Sequence, residues 1–227
     1  ETFAWQTSWG VSWRLIGGMI MTHGDDKGLV LPPKVAPIQV VIIPIYHSKE
    51  DKENVLQKAC QIKDSLSNND IRVHLDDREQ MTPGFKFNDW EMRGIPIRIE
   101  IGPKDIAKNQ IVLARRHNQT KISLDIDGLT EKTLSELKNI QKEMFDAAKK
   151  ILDERVVRVS EYQQFKKELE NGKMIDCSWC GNQTCEDKIK EETGADLRVI
   201  PSDNTKAETC IYCKNSGTTN VLFARGY

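Results

Sequence analysis

From residue 38 onward, apolar and polar positions alternate with the periods of strands and helices. "IQVVIIPI" (38–45) is apolar almost throughout, the pattern of a strand buried on both faces. Residues 49–68 put Val55, Ala59, Ile62 and Leu66 on one side of a helix. "IRVHL" (71–75) reads as a strand, "GFKFNDWEMRG" (84–94) as a short helix and "IPIRIEI" (95–101) as a strand. "QIVLARR" (110–116) and "KISLDI" (121–126) make a hairpin through "HNQT". Between Thr130 and Glu154, Leu134, Leu137, Ile140, Met144, Ala148 and Ile151 recur at helical spacing. Strands alternating with helices predict a layered α/β domain, and the hairpin predicts an antiparallel edge on its sheet.

The flanks read differently. Residues 2–9 predict a strand, Gly10 a turn, and an apolar helix runs on to about Met21. A loop, "HGDDKGLVLPP", leads to Pro32, Pro33 and Pro37, which bracket a linker because proline blocks regular pairing. After Ser160 a shorter polar helix precedes a cysteine-rich segment. Three units are expected: residues 1–36, 37–155 and 156–227.

Composition narrows the function classes. The chain is 227 residues long, 38% hydrophobic and 30% charged, with a formal net charge of -1. A nearly neutral chain has no overall attraction to nucleic acid, so any such binding needs a local patch. The longest apolar run, "VVIIPIY" (40–46), is far too short to span a bilayer. No N-terminal pattern of charge, apolar stretch and small residues marks a signal peptide, so a reducing compartment is expected rather than a secreted disulfide framework. The chain opens on Glu1, already in strand-like sequence, as a piece of a longer protein would.

A local patch exists. Between Gly84 and Lys121 eight cations (Lys86, Arg93, Arg98, Lys104, Lys108, Arg115, Arg116, Lys121) face four acids (Asp89, Glu91, Glu100, Asp105). Phe85, Phe87 and Trp90 interleave with them. Rings stack on unpaired bases and cations neutralise phosphates, which suits single-stranded RNA loops. A carboxylate such as Glu91 can accept hydrogen bonds from the edge of guanine. The competing reading is a solvated charged face whose aromatics belong to the core.

Five of the six cysteines lie between residues 177 and 213, in "CSWCGNQTC" and "CIYC". Cys180-x4-Cys185 and Cys210-x2-Cys213 offer two pairs of thiolates, enough to close a structural zinc tetrahedron with no open position. Cys177-x2-Cys180 competes, and spacing leaves the choice of ligands open. Near the N-terminus, the Gly10 turn brings Arg14 and a first helical turn together, an arrangement able to hold the phosphates or purine of a nucleotide. An amphipathic helix with one surface arginine reads equally well.

In order along the chain, "QTSWGVSWRLIGGMIMTHGDDKGLVLPP", "VVIIPI", "DDREQMTPGFKFNDWEMRGIPIRIEIGPKDI", "VLARR", the paired cysteines and "LFARGY" resemble the prolyl-tRNA synthetases of the eukaryotic and archaeal type. The resemblance spans essentially the whole chain. It implies the last strand and helix of a class II antiparallel catalytic domain, a mixed-sheet three-layer anticodon-binding domain, and a small α+β zinc-binding-like domain. It implies that Arg14 binds ATP, with Trp9, Gly10 and Ser12 lining the floor shared by proline and the adenylate. Trp13 departs from the threonine usual there. It further implies that Phe87, Glu91, Arg98, Lys104, Asp105 and, more loosely, Lys121 read the anticodon of tRNA(Pro). It favours Cys180, Cys185, Cys210 and Cys213 as Zn2+ ligands, and gives Tyr227 a terminal carboxylate directed at the catalytic centre. The implied activity is ATP- and Mg2+-dependent activation of proline and its transfer to tRNA in the cytoplasm, by a homodimer joined through regions mostly missing here, with no membrane part. A stand-alone, non-catalytic tRNA- or protein-binding module is the alternative.

Overall fold

The structure is a computed structural model that describes residues 3–4, 6–202 and 208–226. It divides into two units, residues 1–148 and 149–227.

In the first unit, helix α1 (Arg14–His23) comes first, followed by β1 (Val40–Pro44), α2 (Lys49–Ser67) and β2 (Val73–Leu75). Then come α3 (Pro83–Met92), β3 (Ile97–Ile101), α4 (Pro103–Ala107), β4 (Gln110–Arg115), β5 (Lys121–Asp125) and the long α5 (Leu129–Arg155). The sheet order is β2-β1-β3-β4-β5. β1 is parallel to β2 and β3, and the β4–β5 hairpin adds an antiparallel edge.

Strand alternation sorts side chains into two cores. Val40 and Ile42 of β1, Ile97, Ile99 and Ile101 of β3, and Ile111 and Leu113 of β4 pack with α2 and α5. Val41 and Ile43 point the other way, onto Trp90 of α3. The unit is therefore three layers deep, with α3 on the sheet face opposite α2 and α5. Helix starts follow local chemistry: Ser48 caps α2 by accepting from the Asp51 N–H, and Thr82 caps α3 ahead of Pro83.

Three expectations change. No strand forms over the described part of residues 2–9, because a strand exists only through a ladder to a neighbour and none is formed there. Residues 29–36 are not a loose linker. Leu29 and Leu31 hydrogen-bond to Met92 O and Gly94 O, Arg72 donates to Pro33 O and Ala36 O, and Ala36 is buried. Gly28 (φ 128°) and Gly94 (φ 73°) permit this approach, since a Cβ on either would meet backbone atoms at 2.5 Å. Finally, the apolar face of α5 outlasts its core: Met144 is buried, whereas Ile151 is half exposed.

The second unit holds β6 (Val156–Arg158), α6 (Tyr162–Glu170), β7 (Met174–Trp179), α7 (Gln183–Thr193), β8 (Ala195–Val199) and β9 (Thr219–Arg225), with strand order β6-β7-β9-β8. Its own core joins Phe165 and Leu169 of α6 and Ile189 of α7 to Ile175, Val221 and Phe223 of the sheet. The Glu192 carboxylate accepts from Tyr162, Tyr212 and Lys166, tying α6 to the turn at 210–213.

Candidate nucleic-acid interface and cysteine cluster

The face of the first sheet that looks toward α3 carries the polar side chains of β3 and β5. Register sets Arg98 opposite Ala114 and Ala114 opposite Lys121, so two cations flank a methyl group in one cross-strand row. The small Ala114 side chain leaves room there. A cavity of about 200 Å³ opens over it, lined also by Glu91, Lys27 and Gln119.

Phe87, on α3, covers the same row. The Arg98 guanidinium lies 4.3 Å from its ring centroid and the Lys121 ammonium 5.5 Å. Buried Glu100 steadies both cations, accepting from Arg98 Nε at 3.0 Å and lying 2.9 Å from Lys121 Nζ. The Glu91 carboxylate sits 3.3 Å from Lys27 and, among the described residues, accepts no hydrogen bond, leaving lone pairs free at the cavity.

Phe87, Glu91, Arg98 and Lys121 thus come together. Lys104 and Asp105 do not line this cavity; they sit on α4, beyond the far end of β3. Lys104 is exposed, and the Asp105 carboxylate accepts from the Gly102 N–H at the start of its helix.

The charged stretch is thinner than its composition implies. Lys86 is buried and donates to Asp76 O, Arg116 is buried in a bidentate pair with Asp25, and Trp90 belongs to the core. Arg115 pairs with Glu136 and Glu143 of α5. Phe85, by contrast, stands half exposed on the outer side of α3.

The remaining candidates lie apart from this face. Trp9 is almost fully exposed, among the described residues no atom lies within 4 Å of where a Cβ on Gly10 would sit, Ser12 O accepts from the Leu15 N–H, and Arg14 is the exposed first residue of α1. Of these four, only Ser12 lines the broad apolar groove along α1. Tyr227 falls outside the described residues.

In the second unit the Sγ atoms of Cys180, Cys185, Cys210 and Cys213 all lie within 4.8 Å of one another. Cys180 follows the last residue of β7, Gly181 (φ 79°) turns the chain, and Cys185 falls in the first turn of α7, whose Asn182 cap accepts from the Thr184 N–H. The second pair sits on a tight turn closed by Lys214 N–H to Cys210 O, and that turn hangs from β7 through Ile211 N–H to Ser178 O.

Four sulfurs about 2.3 Å from a tetrahedral ion stand about 3.8 Å apart. The Cys180–Cys185 and Cys180–Cys213 separations, 3.6 and 3.8 Å, suit that. The four thiols can hold one metal ion. The Asn215 N–H holds Cys213 down at about 7, while burial pushes Cys185 up to about 12. Cys177, which spacing left in contention, is fully buried in the core opposite Val221; burial, helped by the Asp176 charge, pushes its thiol up to about 12.

Two family models match the chain: "Anticodon binding domain" over residues 39–137 and "Prolyl-tRNA synthetase, C-terminal" over residues 162–227. The proline–tRNA ligase of Cenarchaeum symbiosum is 52% identical over 227 residues, covering 100% of this chain and 48% of the relative. That of Natranaerobius thermophilus is 46% identical over 99% of this chain and 47% of its own length. The chloroplastic/mitochondrial proline–tRNA ligase of Arabidopsis thaliana is 43% identical over 98% of this chain and 42% of its own length. The chain belongs to the prolyl-tRNA synthetase family. It spans about half the length of these relatives.

The anticodon-binding model covers the whole cation row and α3, and the prolyl-tRNA synthetase C-terminal model covers all four clustered cysteines. Reading the motifs alone misses Lys27, Glu100, Ala114 and Gln119. Only Glu100 left a trace, as a second charge beside Arg98 in an alternating strand. No helix among the described residues is long and apolar enough to cross a membrane.

Proposed function

We propose that the chain supplies anticodon recognition to a prolyl-tRNA synthetase. In the complete enzyme, the carboxylate of proline attacks the α-phosphorus of ATP, releasing pyrophosphate and leaving prolyl-adenylate. The terminal ribose hydroxyl of tRNA(Pro) then takes the prolyl group. The chain adds Arg14 to the ATP site beside Trp9, Gly10 and Ser12, and positioning with charge stabilisation carries the chemistry. Mg2+ enters with ATP to offset phosphate charge. The whole enzyme is a cytoplasmic homodimer, and the divisions at residues 36 and 155 separate its catalytic, anticodon-binding and C-terminal parts.

The observation that carries this reading is the cavity between Arg98 and Lys121, with the Glu91 carboxylate, ion-paired with Lys27, at its wall. Cations there meet phosphate or a guanine carbonyl, and Glu91 accepts from the guanine N–H groups. Arg98 already occupies the ring of Phe87, so Phe87 shapes the slot rather than offering both faces to a base. Lys104 and Asp105 follow the neighbouring nucleotides. In the second unit the four thiolates hold Zn2+ as a staple with no catalytic position.

Binding of an anticodon stem-loop tests the first claim. Glu91→Lys is expected to erase the preference for loops with anticodon guanines. Lys104→Ala is expected to weaken all loops alike and to lower the salt slope by about one. Small, equal effects from both would return the face to an ordinary solvated surface. Pyrophosphate exchange with proline and ATP is expected from a chain extended upstream and not from residues 1–227; an extended chain active only with another amino acid would exclude proline.

A further inference from the structure

Lys27 lies in the "HGDDKG" loop, on the turn that follows α1, and no reading above gives it a role. We infer that Lys27, anchored by Gln119, is a positioning residue for base recognition: it orients the Glu91 carboxylate toward the guanine edge. This rests on the anticodon reading of the cavity.

The geometry is built from three segments. The turn is closed by the Asp25 N–H to Gly28 O and the Gly28 N–H to Asp25 O, and the Lys27 N–H donates to Asp25 Oδ1. Arg116 clamps that turn with two hydrogen bonds to Asp25, at 2.6 and 2.7 Å, and gives its Nε–H to Glu91 O. One buried guanidinium thus holds the backbones of both Lys27 and Glu91. From this base the Lys27 ammonium donates to Gln119 Oε1 at 2.7 Å and reaches Glu91 Oε1 at 3.3 Å. Gln119 is held in the β4–β5 turn with φ 59°.

Guanine presents N1–H and N2–H side by side, so a carboxylate reads both only when its two oxygens lie in the plane of the base. Among the described residues no hydrogen bond sets the plane of the Glu91 carboxylate; its ion pair with Lys27 does, and each oxygen keeps a lone pair for the base. Lys27 is half exposed, so its pair with Glu91 adds little to stability and its loss leaves the fold intact.

The test uses the 227-residue chain and fluorescence anisotropy at two salt concentrations. The probes are an anticodon stem-loop with guanines and the same loop with inosine, which lacks the 2-amino donor. Lys27→Met is expected to cut the guanine-over-inosine preference about fivefold, the worth of roughly one hydrogen bond. Lys27→Arg should restore most of it. Gln119→Asn, which tolerates the left-handed backbone but is one carbon shorter, should lower it in the same direction. Equal weakening of both loops with a shallower salt slope would make Lys27 a phosphate contact and overturn the inference, as would no change. Glu91→Gln is measured alongside. If it keeps the preference, the reading of Glu91 fails and takes the inference with it. If it abolishes the preference while Lys27→Met does not touch it, only the inference fails.

Discussion

Replacing Asp76 by alanine is expected to destabilise the first unit by about 3–5 kcal/mol, because it leaves the buried Lys86 ammonium without its carboxylate and the buried Trp90 Nε1–H without its acceptor. Asp76 is fully buried at the end of β2, yet its carboxylate is saturated with donors. Oδ1 accepts from Arg78 Nε at 2.9 Å, and Oδ2 accepts from Arg78 Nη2 and Trp90 Nε1, each at 2.7 Å. Lys86, itself buried, lies 3.6 Å away. Through these contacts one carboxylate fixes α3 on the sheet, and with it Phe87 and Glu91. At roughly 3 °C per kcal/mol, the melting temperature should drop by about 10 °C, with weaker stem-loop binding. Asp76→Asn, which keeps the shape and loses the charge, should fall between the two proteins.

The same site has a pH signature. Burial pushes the Asp76 carboxyl up, but the hydrogen bonds from Arg78 and Trp90 and the Lys86 charge outweigh it, holding the group below the usual carboxylate range. A depressed carboxyl contributes its full stabilisation above its unfolded value, near 4, and loses it as pH falls below that. Acid unfolding of the parent between about pH 4 and 2 should therefore be steeper than that of Asp76→Asn. Parallel acid profiles would mean that Asp76 does not hold the unit through its charge.

The second large effect is expected at the cysteines. Apparent zinc-binding energies in small thiolate domains are about 10–16 kcal/mol, larger than the stability of most domains. Cys185→Ser and Cys210→Ser should each take metal content from about one ion per chain to near zero, and the second unit should lose its cooperative melting transition. Strong chelators should do the same to the parent chain. Cys177→Ala should keep its metal, because that side chain belongs to the core and lies outside the cluster. Elemental analysis and calorimetry decide it: a parent chain that is fully folded and free of metal would remove the zinc staple.

Much of this was legible from residue order. Val55, Ala59, Ile62 and Leu66 were marked by spacing alone and all four are buried. The alternation of "IPIRIEI" already separated Ile97, Ile99 and Ile101 from Arg98 and Glu100. The cation-rich stretch was harder, because composition cannot distinguish Arg98, at the cavity, from Arg116, locked inside by Asp25. Ile151 carries the helical period as well as Ile140 does, yet Ile140 is buried and Ile151 is half exposed.

Asp76 and Asp77 are neighbours of identical chemistry, and one is wholly buried while the other is exposed. Local pattern dictates elements and faces, since helix and strand periods act between residues a few positions apart. It also brackets the thiols into two pairs. Folding alone seats Lys27 against Glu91, 64 positions further along, and lines Arg98, Ala114 and Lys121 into one row. Those pairings depend on strand register and on turns closed by distant partners, and energies of that kind exist only once the chain has come together.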